Sequence, residues 1–471
     1  MITLFFVLLA APPAGSLSLD DALRLAVERD PDLRAAGLRV QERETGVAAA
    51  DGAFDLQLDV RFAASTERYT GDWSAEDIFI NAALYASVSQ PLVWGTTLQA
   101  SLSNSRTAAA DNFLDCSTCY VERLQLAVRQ PLLRGFGREA NEAPRRAAEH
   151  ARDAASIERQ RIAETSVENI VRTYVELGHA RAEAEIRAAA LALATELLAA
   201  TDTRIEVGQS RPADRPVVAQ AVARRRQELV FAERRRADAA EALAVKVGLD
   251  AVPDVALPPP AAFPDERATV LKAALAHSPE LAAYDAEAKR LRAEQVRLDD
   301  AARPQLDVTL IASQSAVDDG LGGVLTALPD NNSQYYGATL ALTFPPANTT
   351  AEAEQARGRL SMARNAAERE SRADTLRHEA GDALRALRTA EQSVELTDEV
   401  ARLATAALEA ESAKLDLGQS TNLDVIQVQQ DLAEAQRIAA RARADRLVAL
   451  AALRRLTGRL LEAHGLRLLP P

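Results

Sequence analysis

Two stretches of this chain match each other at a fixed interval, and that duplication limits what it can fold into. Asp30-Pro31-Asp32-Leu33 is followed by Asp59 in Leu58-Asp59-Val60. Ser278-Pro279-Glu280-Leu281 is followed by Asp307 in Leu306-Asp307-Val308, and the spacing from proline to aspartate is identical in the two cases. Both pairs are offset by 248 residues. A second landmark, Gly208-Gln209-Ser210 with Asp214 six residues after the glycine, returns as Gly418-Gln419-Ser420 with Asp424, now offset by 210. The later half is therefore shorter between the landmarks by the difference, 248 less 210. The earlier half shows where the surplus lies. It carries Gln90-Pro91-Leu92 and, further on by nearly that same difference, Gln130-Pro131-Leu132, whereas the later half has only Phe344-Pro345-Pro346. A chain so written is expected to be a tandem of two like units, the first with an extra hairpin-sized piece at about 93–130. The units are read as 17–252 and 265–471, joined by the Pro/Ala-rich linker 253–264.

Within each unit the hydrophobic period changes. Six segments alternate with period two, as a strand with two unlike faces does. They contain Leu56 to Phe62, Ile78 to Val88, Leu98 to Leu102, Leu124 to Val128, Leu306 to Leu310 and Ala338 to Phe344. Each is about ten residues long, the length of a transmembrane β-strand. Beyond residue 16 the chain has 17 aromatic residues, of which 13 fall in 54–136 or 335–344. Trp73, Trp94, Tyr120, Tyr335 and Tyr336 lie near segment ends, where an interfacial girdle would sit. A soluble β-sandwich is the other use for such segments, but two paired strands in the second unit do not make one.

The remainder reads as helix. Residues from about 139 to 204 and from about 347 to 415 hold almost no breaker beyond Pro144, which makes each roughly 100 Å long at 1.5 Å per residue. In the second, Ala380, Leu387, Val394, Ala401 and Leu408 share one heptad position, and Ala383, Ala390, Thr397 and Ala404 share the other. That spacing is a left-handed coiled-coil seam. Shorter helices are expected at about 18–51, 214–248, 266–302 and 422–457. The fold class is thus α+β, with long antiparallel helical hairpins and membrane-type strands.

The first sixteen residues read as a signal peptide: an apolar run from Met1 to Ala11 followed by small residues at Ala14, Gly15 and Ser16. No basic residue precedes the run, so a buried N-terminal strand is the competing reading. No Cys follows it, which excludes lipid attachment there. No later stretch is long and apolar enough for a transmembrane helix, so entry into a membrane would require a barrel.

With signal, helix, strands, long helix, tight turn and helix, and then the same order again, the chain resembles the TolC-like outer-membrane efflux protein family over residues 17–460. The resemblance implies a homotrimer whose strands share one barrel in the Gram-negative outer membrane and whose helices form a periplasmic tunnel. It implies a periplasmic adaptor and an inner-membrane transporter as partners. The function implied is the exit duct of a tripartite efflux or type I secretion system; a non-transporting periplasmic coiled-coil scaffold is the alternative. The family usually has two strands per half, whereas here four and two are counted. A trimer would then have about eighteen strands, unless the extra pair forms a hairpin outside the barrel wall.

By that resemblance the turns at Gly208 and Gly418 are the periplasmic tip, and Asp424 matches an acid of its constriction. Gln427 stands where a second acid is found in the best-known member, and Leu415 and Ser420 replace polar or charged gating residues. Asp214 is the equivalent of Asp424 in the first unit, with Arg215 beside it as a neutralising charge. The other reading makes both Asp residues helix caps. Cys116 and Cys119, a C-x-x-C without a second ligand pair, read as a loop disulfide in an oxidising compartment. The net charge of −13 argues against a nucleic-acid partner. The five His (His150, His179, His277, His378 and His464) show no metal or triad spacing. There is no phosphate loop and no nucleophile elbow, so no enzyme and no cofactor is expected.

Overall fold

The computed structural model describes residues 17–69, 77–108, 118–252, 266–318 and 333–468, with positions 255, 257–259, 263, 320, 323 and 326 between them. The expected signal segment, much of the linker and Cys116 lie outside the described residues. In chain order the elements are α1 (Leu19–Arg29), α2 (Pro31–Asp51), β1 (Gln57–Tyr69), β2 (Asp77–Pro91), β3 (Thr97–Ala108), β4 (Thr118–Pro131), α3 (Arg138–Glu206) and α4 (Asp214–Val247). There follow α5 (Arg267–His277), α6 (Pro279–Ala301), β5 (Gln305–Asp318), β6 (Gln334–Thr343), α7 (Thr349–Asp416), α8 (Asn422–Leu456) and α9 (Leu460–Ala463). They fall into two units: a helical one (1–39, 156–283 and 369–471) and a strand-bearing one (40–155 and 284–368).

In the strand-bearing unit all six alternating segments are strands. They form one antiparallel sheet in the order β1-β2-β3-β4-β5-β6. The register runs without a slip, for example Leu58 opposite Val88, Val88 opposite Ala100, Ala100 opposite Leu126 and Leu126 opposite Ala312. A slip-free ladder keeps the alternating apolar rows of the six strands on one face, because side chains alternate with period two.

In the helical unit each short helix expected at 18–51 and 266–302 is in fact two. Asp30 and Ser278, each preceding a proline, have ψ of 115° and 120°, outside the helical region. The proline ring excludes helical backbone from the residue before it and then starts the next helix, where its missing N–H costs nothing. The same two residues cap the new helices: Asp30 Oδ1 accepts from Asp32 N at 2.8 Å, and Ser278 Oγ accepts from Leu281 N at 3.4 Å.

Three apolar clusters hold this unit. Leu23 and Ala26 of α1 pack with Val167, Ile170, Val171 and Tyr174 of α3 and Leu243 and Val247 of α4. Val270 and Ala274 of α5 pack with Leu376, Ala380, Leu384 and Leu387 of α7 and Leu450 and Leu453 of α8. Leu197, Val218, Leu408, Val425 and Leu432 form the third, toward the turns. The heptad positions Ala380, Leu387 and Leu408 are buried and their companions half-buried, so the seam faces neighbouring helices. Among the described residues no helix is long and apolar enough to cross a membrane.

Tyr174 is 1% exposed, and its hydroxyl donates to the Leu17 carbonyl at 2.7 Å. Tyr174→Phe should leave that buried carbonyl without this donor and cost about 1–2 kcal/mol. The thermal midpoint of the purified protein should fall by a few degrees, and an unchanged midpoint would show that the bond contributes nothing.

Candidate functional site

Two regions carry polar chemistry in an organised pattern: the pair of helix turns and the two faces of the sheet. At the first turn Gly208 has φ 76°, and at the second Gly418 has φ 72°, values that favour glycine. Each follows the last turn of a long helix in the same way. Gln209 N donates to Arg204 O at 2.7 Å, and Gln419 N donates to Lys414 O at 2.8 Å, closing the helix end.

The helices that follow start differently. Asp424 and Thr421 form a capping box. Thr421 Oγ1 donates to Asp424 Oδ2 at 2.6 Å, Thr421 N donates to the same oxygen at 3.1 Å, and Asp424 N donates back to Thr421 Oγ1 at 3.2 Å. The Thr421 hydroxyl, and after it the Thr421 amide, hold the Asp424 carboxyl below the usual carboxylate range. In the first turn Arg211 stands where Thr421 does. Only the half of the box that uses the acid remains, with Arg211 N donating to Asp214 Oδ2 at 3.2 Å. Arg215, the residue after Asp214, forms its ion pair with Asp202, its Nε lying 2.9 Å from Asp202 Oδ1. Its neighbour Pro216 is already helical, and Arg215 reaches back along the hairpin to α3. Gln427 is exposed and donates to Asp431 Oδ1 at 2.9 Å, one turn further on. Ser420 donates to Glu411, and with Lys414 this holds the Glu411 carboxyl below its usual range.

The sheet has one apolar and one polar face. Leu58, Val60 and Phe62 of β1, Leu84 and Val88 of β2, Leu102 of β3, Leu124 and Leu126 of β4, Leu310 of β5 and Leu340 and Leu342 of β6 share a face by register. They are far from covered: Phe62 is 72% exposed, Leu126 55% and Leu340 67%. The opposite face carries Asp59, Arg61, Ser87, Gln99, Ser101, Ser103, Gln125, Ser313 and Thr339. Arg129 pairs there with Asp307 at 2.6 Å. An exposed apolar face opposite one of serine and glutamine is what a barrel wall between lipid and water requires.

The family described as outer membrane efflux protein matches residues 270–459. No curated protein matches the chain. Among solved structures the outer-membrane channel OprN is similar at TM-score 0.68 and 12% identity, covering 93% of this chain and 89% of that one. VceC, an outer membrane protein of Vibrio cholerae, gives 0.65 at 16% identity, covering 93% and 96%. The open state of the MtrE outer membrane channel of Neisseria gonorrhoeae gives 0.64 at 18%, covering 94% and 89%. The fold is theirs, and the matched sequence family covers most of the second unit.

Over residues 270–459 the chain is similar to the outer membrane efflux protein family, and its fold is that of outer-membrane channels.

The chain also has a contact between its two turns that sequence reasoning missed. Arg204 of α3 reaches Asp416 of α7 at 2.7 Å, tying one hairpin to the other within a single copy. The two residues lie in different units of the tandem, and no spacing signals the pair. Of the C-x-x-C, Cys116 lies outside the described residues and Cys119 contributes backbone to β4.

Proposed function

We propose that this chain is a subunit of an outer-membrane channel. Three copies close a barrel around one axis, their helices extend it into the periplasm, and the assembly serves as the exit duct of a tripartite efflux or type I secretion system. An inner-membrane transporter and a periplasmic adaptor complete the machine. The observation that carries this reading is the two-faced sheet, with its apolar side exposed. A periplasmic scaffold has no use for such a face. Membrane fractionation and electrophoresis without boiling test it. The expected result is a detergent-resistant trimer in the outer-membrane fraction, and recovery as a soluble monomer without detergent overturns it.

On this reading the turns form the narrow mouth, and their charges differ. The second turn carries Glu411, Asp416 and Asp424 against Lys414, while the first carries Asp202, Glu206 and Asp214 against Arg204, Arg211 and Arg215. Three copies of an acid-rich turn around one axis attract cations. Asp424→Asn should therefore lower cation preference in planar-bilayer recordings more than Asp214→Asn. Asn can still accept from Thr421, so the helix start survives. Equal, negligible effects would mean that both acids serve only as caps.

A further inference from the structure

We propose that the β3–β4 hairpin is a two-strand spacer that sets the width of the membrane end. Three copies close edge to edge into an eighteen-stranded barrel, and a chain lacking residues 92–131 closes into a twelve-stranded one. The proposal rests on the trimeric channel reading and adds the strand number and the device that sets it.

The first ground is the state of the sheet edges. Among the described residues β1 and β6 each have a single neighbour, so each presents a row of unpaired backbone groups. Lipid offers those groups no partner, and only closure satisfies them. The occupant that fits is a second copy. In an antiparallel sheet of six strands β1 and β6 run in opposite directions, so β6 of one copy beside β1 of the next continues the antiparallel ladder. Their side chains alternate in matching fashion. Leu58, Val60 and Phe62 of β1 carry the apolar face and Asp59 and Arg61 the polar one; in β6, Ala338, Leu340 and Leu342 alternate with Thr339 and Thr343. Edge pairing sets apolar beside apolar and polar beside polar.

The second ground is where the hairpin sits. It does not hang outside the ladder. β3 pairs with β2 from Thr97 to Ala108, and β4 pairs with β5 from Tyr120 to Pro131. Both of its strands therefore add to the circumference. At about 4.8 Å between strands and a tilt near 40°, eighteen strands give a backbone ring about 36 Å across, against about 24 Å for twelve. The lumen face is mainly polar, as a water-filled interior requires.

The third ground is that the chain leaves the sheet twice by the same route. β2 ends at Gln90-Pro91-Leu92 and β4 at Gln130-Pro131-Leu132. The first exit turns back through Gly95, whose φ is 88°; the second runs on, with Leu132 N donating to Leu306 O at 2.7 Å. The interval from Pro91 to Pro131 is even, so joining Pro91 to Leu132 moves β2 into the place of β4 without changing which side chains face which way. Val88 would then oppose Leu310 and Ala86 would oppose Ala312, apolar on apolar, while Ser89 would oppose Thr309 on the polar face. One loss is specific: Ser89 takes the place of Arg129, the partner of Asp307.

The test is strand counting by single-particle cryo-electron microscopy on three chains: the full chain, the chain lacking 92–131, and that deletion with Ser89→Arg, which restores the partner of Asp307. Eighteen strands in the full chain and twelve in at least one deletion chain are expected. A full-chain trimer with twelve wall strands and β3–β4 splayed aside would overturn the proposal while leaving the channel reading intact. So would eighteen strands in the full chain with both deletion chains failing to assemble, because the hairpin would then be essential wall. A full chain that forms no membrane trimer overturns the channel reading itself, before any strand is counted.

Discussion

Leu126→Arg should abolish assembly of the trimer, while Gln99→Arg should leave it intact. Leu126 lies on β4, on the apolar face, midway between two polar residues of the same row, Glu122 and Gln130. Those two lie about 26 Å apart along the strand at 3.3 Å per residue, which is about 20 Å across a membrane at a tilt near 40°. Position 126 is therefore the middle of the lipid band. An arginine there costs about 2–4 kcal/mol per copy. Three copies in one barrel multiply this to roughly 6–12 kcal/mol, comparable with the whole stability of a domain. Gln99 sits one strand away on the polar face, opposite Ala127 and Ser89, and its amide reaches Tyr85 Oη at 3.4 Å. An arginine there faces water. The measurement is the amount of unboiled trimer in the outer-membrane fraction after equal expression. Comparable trimer from both variants would mean that the exposed leucines do not face lipid, and the reading of the sheet would fall.

Most of the sheet is legible in the sequence because period two survives burial, exposure and membrane alike. The row Leu124, Leu126 and Val128 declares a two-faced strand whatever lies on either side. The long helices are legible for the opposite reason, as stretches almost free of breakers. Where the expectation fails, a smooth pattern overrides a local signal. Pro31 and Pro279 read as landmarks inside single helices, although a proline excludes helical backbone from the residue before it. Asp30 and Ser278, each able to cap, are in place to start a new helix. The turns are half legible. Glycine before a helix start, and Thr421 three residues before Asp424, are local patterns. The choice of Asp202 by Arg215, and of Asp416 by Arg204, depends on which helix lies opposite. Sequence separation hides that from inspection. Glu164 has no sequence signal at all, because nothing local distinguishes it from the many solvated glutamates of α3.

Glu164→Gln should raise the stability of the protein at pH 8 and change it little at pH 4.5. Glu164 is 3% exposed, and its Oε1 has no hydrogen-bond partner. Burial pushes its carboxyl up from an ordinary value of 4.5 to about 7; a bond with Gln160 and the charge of Arg455 only partly oppose this. Arg455 is engaged elsewhere, in an ion pair with Glu168, which Arg172 also approaches at 3.3 Å. Between pH 4.5 and 7 the folded chain therefore holds a proton that the unfolded chain has released. Stability falls with rising pH wherever the folded state binds more protons, so the loss builds through this window and is complete above it. A shift of that size, reduced for solvent screening, amounts to roughly 2 kcal/mol. Glutamine has the same shape, keeps a partner in Gln160 and has no proton to lose, so the slope should vanish in the variant. Because Arg455 retains Glu168, the substitution orphans no charge, and a gain at high pH reports burial of a carboxylate. Thermal midpoints of both proteins from pH 4.5 to 8.5 decide the matter. A difference that is constant across the range, or absent throughout, would show that Glu164 reaches water in the assembled protein and that its burial is a property of the single copy.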